Sequence, residues 1–271
     1  MRRLILLATL VLAACALPPL DAGQQARLAT LLPTDALLLG EQHDAPEHQH
    51  LQRQVVQWLG DRGQLAAVVL EMAEGGRSTA GLPRDARAHQ VRAALGWDDT
   101  RWPWQVYGPV IMRAVAAGAP VQGANLSPAQ MREAMRQSAL DARLPPALLA
   151  VQRQRIRASH CGLLPERQID PMTRVQIARD IAMADAVAGA ARQAAPGRVV
   201  LLITGNGHVH RALGVPRFLP PSLKSKVLSA QAEQAQAAPE NEALAGTALQ
   251  PGDLLWPTPA LPPRDPCATL R

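Results

Sequence analysis

Four short apolar runs, at residues 36–39, 66–70, 119–123 and 198–204, each end in polar or glycine residues, and helical periods separate them. A run with no polar alternation reads as a strand buried on both faces. Strands that alternate with helices imply a mostly parallel sheet, because each parallel return needs a crossover that covers a face. The predicted fold class is therefore α/β, a mostly parallel sheet covered by helices. If the strands are parallel, Glu41, Glu71, Asn125 and His208 all emerge along one sheet edge, where open α/β sheets place their ligands. At 271 residues the chain makes one domain, or one plus an insertion.

Between the strands the pattern is helical. Asp44-Ala45-Pro46-Glu47 reads as a capping box opening a helix to Leu59. On it His48 shares a face with Leu51, Val55 and Leu59 and points toward the sheet, while His50 is solvated. Residues 127–170 hold no convincing strand and read as a small inserted helical subdomain. Pro171 then starts a long helix through about Gln193. Met172, Gln176, Arg179 and Met183 line one of its faces, and Ile177, Ile181, Ala184 and Ala188 form its core stripe. Residues 230–245, rich in Ala, Gln and Glu, read as a surface helix or a loop.

Two strand ends carry the same Gly-x-x-His pattern, Gly40-Glu41-Gln42-His43 and Gly205-Asn206-Gly207-His208. Glu41, His43, Glu71 and His208 make a metal set of imidazoles and carboxylates that suits Zn or Mn, with Asn125 to bind substrate or orient a water. The same acids could equally accept hydrogen bonds from loop amides. Residues 97–108 gather three of the five Trp and the only Tyr, in a chain with a single Phe. Such aromatics could wall a flat ligand or pack as a core cluster, and a tyrosinate can ligate haem iron. Gly-x-Ser-x-Gly, Walker and Rossmann spacings are absent, which removes those hydrolase and nucleotide classes. The charge of +6 comes from scattered arginines without runs or aromatic interleaving, a solvated surface rather than a nucleic-acid face.

The N-terminus carries a basic n-region, Met1-Arg2-Arg3, and an apolar stretch too short to span a bilayer, ending in Leu12-Ala13-Ala14-Cys15. This resembles a bacterial lipobox. Residues 1–14 are then a signal peptide and Cys15 is lipidated, anchoring the body to a membrane. Cys161 and Cys267 remain, and in an oxidising compartment one disulfide is the simple reading, with a Cys ligand in His160-Cys161 as its alternative.

The chain resembles the ChaN-like haem-binding lipoprotein family. The resemblance rests on Leu-Gly-Glu-Gln-His-Asp with the following Glu-His (39–48), Trp-Pro-Trp-Gln-Val-Tyr-Gly-Pro (102–109), Gly-Ala-Asn-Leu (123–126) and His-Cys-Gly-Leu-Leu-Pro (160–165). It continues through Gln-Ile-Ala-Arg-Asp-Ile-Ala-Met-Ala (176–184), Gly-Asn-Gly-His-Val (205–209), Gly-Val-Pro (214–216) and Asp-Pro-Cys (265–267). It implies that residues 16–271 form a haem-binding domain of an outer-membrane lipoprotein, facing the periplasm or the cell surface and serving iron uptake. It also implies haem held by tyrosine at a homodimer interface, which falls to Tyr107. His48, Asn125, Gln176 and Met183, read from their strand-end and helix-face positions, are the expected cofactor-binding residues beside it.

The wider superfamily looks similar to the Tiki proteases and erythromycin esterases, which points to His43 and His208 as metal-site histidines with Glu41 nearby. A haem-binding protein, which is not an enzyme, is the first expectation. A metal-dependent hydrolase with Glu41 and Glu71 as catalytic carboxylates is the alternative.

Overall fold

The protein is seen here as a computed structural model that describes residues 19–233, 249–263 and Cys267. Cys15 with its leader, and most of the 230–245 run, lie outside the described residues.

Six parallel strands form one sheet in the order β3-β2-β4-β1-β5-β6. They are β1 (Ala36–Glu41), β2 (Leu65–Glu74), β3 (Val121–Asn125), β4 (Val199–Gly205), β5 (Ser225–Ala232) and β6 (Leu254–Thr258). The first four are the apolar runs expected from the sequence. Strand β5 corrects the reading of residues 230–232 as helix or loop. It pairs with β1 although its sequence, Ser-Lys-Val-Leu-Ser-Ala-Gln-Ala, is half polar. Strand β6 contains Pro257 and lies at the sheet edge, the place where a missing N–H is tolerated.

Side-chain parity explains why the central runs are apolar throughout. Leu37 and Leu39 of β1, with Leu201 and Ile203 of β4, pack on one face against helices α2 (Pro46–Asp61) and α4 (Trp104–Ala116). Ala36, Leu38, Val200 and Leu202 pack on the other against Met183, Ala184 and Val187 of the long helix α7 (Glu166–Gln193). The central strands therefore bury both faces, as strands inside parallel sheets do. Before β1 runs a short helix α1 (Ala22–Ala29), capped by Asp21, whose carboxylate accepts from Gln24 N at 2.8 Å. A further helix, α3 (Ala88–Leu95), follows β2.

The chain passes from β3 to β4 through α5 (Pro128–Arg136), a 3₁₀ turn (Ser138–Arg143), α6 (Pro146–Ser159) and α7 (Glu166–Gln193). Helix α7 begins five residues before the expected start, with Pro171 inside it. A proline in the second turn forfeits one backbone hydrogen bond and the helix continues past it. At α2 the cap is Ala45 rather than Asp44, with no side-chain cap bond, so the expected capping box is not formed. The Pro at the first helical position sets the entry instead. Cys161, after α6, and Cys267 form a disulfide across 106 residues of sequence and join the C-terminal tail to the helical insertion.

Candidate functional site

The strand order brings Asn125, Glu71, Gly205 and Glu41 side by side at the carboxyl ends of β3, β2, β4 and β1. Parity then separates the acids. Glu41 continues the Leu37, Leu39 row and faces α2 and α4, whereas Glu71 and Thr204 face α7. One sheet edge thus carries two polar clusters on opposite faces.

On the first face Glu41 is buried and fully engaged. Its Oε1 accepts from Tyr107 Oη at 2.7 Å and from His43 Nδ1 at 2.7 Å. Its Oε2 accepts from Gln49 Nε2 at 2.9 Å and from Gln52 Nε2. Tyr107 itself is only 1 % exposed. Burial and the adjacent Glu41 carboxylate push its phenol well above the usual range, so the neutral hydroxyl is the form held here. Around it Trp97, Trp102 and Trp104 stack edge-to-face or tilted, and Trp97 Nε1 donates to Trp102 O at 2.9 Å. Gly108 permits this, since a Cβ there would lie 2.5 Å from the Trp104 ring.

On the second face Glu71 accepts from Thr204 Oγ1 at 2.6 Å, from Gly205 N at 2.8 Å and from Arg179 of α7. Burial alone would raise its pKa. The nearby His208, Arg179 and His43 outweigh that and hold the carboxyl well below its ordinary range. His208 Nδ1 donates to Asp180 Oδ1 at 2.6 Å, and its Nε2 lies 3.6 Å from Glu71. Burial raises the Asp180 carboxyl, against the pull of His208. The Gln176 carboxamide lies 3.0 Å from His208 Nδ1, and Asn125 Oδ1 accepts from Arg179 Nε at 3.1 Å and from Leu126 N at 2.9 Å.

His43 spans the two clusters. Its Nε2 turns toward Gly205, where a Cβ would stand 2.9 Å from it and push the imidazole aside. Burial opposes protonation of the ring, but the bond to Glu41 and the charges of Glu71 and Glu41 raise its pKa overall. The side chain is 40 % exposed, against 0 % for Glu41, 2 % for Glu71 and 6 % for His208, and the Trp102 ring packs edge-on at 5.0 Å.

Glu41, His43, Glu71, Asn125, Gln176 and His208 are therefore brought together, but not as a metal cage. Among the described residues no three His, Cys, Asp or Glu side chains are grouped to hold a metal ion. The hydrolase alternative built on Glu41, His43, Glu71 and His208 is accordingly not favoured. Glu41 is saturated by two glutamines and a tyrosine, and the Arg179 guanidinium already occupies Glu71.

Two expected pocket residues lie deeper. His48 is fully buried, accepting from Gln42 N at 2.9 Å through Nδ1 and reaching Thr258 Oγ1 at 2.9 Å through Nε2. Met183 is fully buried between α7 and the sheet.

The sequence reading missed Gln49, Gln52 and Asp180, and left Arg179 without a role. A signal existed: Asp180 interrupts the apolar stripe of Ile177 and Ala184, and Gln49 and Gln52 interrupt that of Leu51 and Val55. Polar groups set in a buried stripe need partners.

This arrangement defines an α/β protein with a glutamate–histidine site at the carboxyl edge of a parallel sheet. Residues 27–219 match the family described as haem-binding uptake, Tiki superfamily, ChaN, and the chain belongs to that family. It is similar to a solved structure showing cofacial haem binding to ChaN of Campylobacter jejuni. That likeness has a TM-score of 0.60 at 22 % identity, over 82 % of this chain and 88 % of the other. It is also similar to the type III effector HopBA1, at a TM-score of 0.42 and 14 % identity over 84 % and 88 % of the two chains. No curated protein matches it.

Proposed function

We propose that this protein binds haem at the sheet edge around His43 and serves haem or iron uptake. The family match over residues 27–219 is the observation that carries this reading.

A tetrapyrrole needs a donor reachable from solvent and a flat apolar wall. His43 and Trp102 meet both needs: an exposed imidazole oriented by Glu41, with an indole beside it. Bound haem would supply an iron centre, and the protein's part would be to hold it with a side-chain donor and exclude bulk water. Tyr107, which the family resemblance implies as the ligand, does not fit that role in this conformation. To reach iron its hydroxyl must leave Glu41 and lose its proton against both burial and a carboxylate. We therefore give His43 the role of the residue that would hold the iron, through Nε2 once the proton favoured by Glu41 and Glu71 is lost, and give Tyr107 a positioning role through Glu41.

Lipidation at Cys15, an outer-membrane location and a homodimer holding the haem belong to the same proposal. The lipobox-like sequence supports the first, and the resemblance supports the other two. Among the described residues no helix is long and apolar enough to cross a membrane.

An absorption titration of the purified protein with ferric haem, with elemental analysis of the same preparation, tests the function. A saturable Soret shift without stoichiometric divalent metal is expected. Stoichiometric Zn or Mn with no spectral change would contradict it.

A further inference from the structure

Away from the sheet edge, a cavity of about 340 Å³ lies between the segment entering α1 and helices α2 and α4. Leu20, Arg53, Gln57, Trp58, Arg62 and Arg113 line it. Two residues of the lining carry a donor without an acceptor: Trp58 Nε1 and Arg53 Nε are enclosed beside the cavity and make no hydrogen bond. Trp58 is 5 % exposed, and the Arg62 guanidinium covers its ring at 4.5 Å. Burial and the Arg113 guanidinium lower the Arg53 pKa, against the weaker pull of the Glu47 carboxylate. Arg113 donates to Gln57, and Gln57 in turn donates to Asp61, the acid in the described lining.

Enclosed N–H groups are almost always paired in native proteins, so two beside one cavity ask for an acceptor. Guanidinium groups that repel one another ask for a negative charge between them. The donors outnumber the two oxygens of a carboxylate. We propose that this cavity binds a phosphate group, received by Arg53, Arg113 and Trp58 Nε1. The proposal is independent of the haem site, which lies at the sheet edge.

The phosphate could belong to a lipid headgroup or be free. The cavity begins at Pro19, four residues beyond Cys15. Four extended residues reach about 14 Å at most, so a lipidated Cys15 would hold the cavity at a membrane surface.

Isothermal titration of the full chain with inorganic phosphate and with dihexanoylphosphatidylglycerol separates these sources. Saturable binding of either is expected. Arg53→Met should weaken it at least tenfold, and Trp58→Phe, which removes only the N–H, by a few-fold, with thermal melts and haem titration unchanged. Binding of the short-chain lipid alone supports a headgroup site, and binding of both supports recognition of the phosphate itself. If Arg53→Met does not fold, Trp58→Phe decides. Absence of binding by both probes, or binding indifferent to the variants, overturns the proposal.

Discussion

The Tyr107 hydroxyl donates to Glu41 Oε1 at 2.7 Å, joining the only tyrosine of the chain to the acid that orients His43. Losing a buried hydrogen bond to a carboxylate costs about 2 kcal/mol. Tyr107→Phe should lower thermal stability by that order while the fold and the remaining Glu41 bonds persist. Denaturant unfolding followed by circular dichroism measures it.

Arg179 and Glu71 should respond asymmetrically. Arg179→Met leaves a buried carboxylate without its cation, a loss of about 3–5 kcal/mol. Glu71→Gln should cost less, because the Arg179 side chain is 21 % exposed and keeps Asn125. A double-mutant cycle reads the coupling, and equal losses for the two single variants would contradict this geometry.

His210 predicts a pH effect of definite sign. Burial and the neighbouring Arg155 lower its pKa to about 4, and its Nδ1 accepts from Ala212 N at 3.2 Å, which requires a neutral ring. The unfolded chain binds a proton near pH 6.5. Its contribution to stability is therefore complete above 6.5 and lost as the pH falls toward 4. The lowered Glu71 acts in the same direction at more acid pH, while the raised His43 opposes it near neutrality. Subtracting the pH–stability curve of His210→Gln from that of the native protein isolates the effect, which should be a rise between pH 4 and 6.5.

Reducing Cys161–Cys267 releases a loop of 106 residues. Chain entropy puts the cost at about 5 kcal/mol. Thermal melts with and without reductant should differ, and Cys161→Ser should remove the difference.

The sheet was legible wherever burial was two-sided, because strands such as β1 and β4 leave no polar alternation to confuse with a helix. Strand β5 was not, since Ser225, Lys226, Ser229 and Gln231 break its apolar run. At the site, the convergence of Glu41, Glu71 and His208 followed from parallel strands alone. The face each acid takes did not, because an offset of one residue between strands reverses it. That offset puts Glu41 with Tyr107 and Glu71 with Arg179. Tyr107's burial depended likewise on the rotation of α4, which a proline-containing, aromatic-rich helix start does not reveal.

The most direct test of the account is the haem titration repeated on His43→Ala and Tyr107→Phe. Placing the donor at His43 predicts a Soret band that Tyr107→Phe keeps and His43→Ala weakens at least tenfold. A band lost with Tyr107→Phe and unchanged in His43→Ala would contradict it and return the iron to the tyrosine.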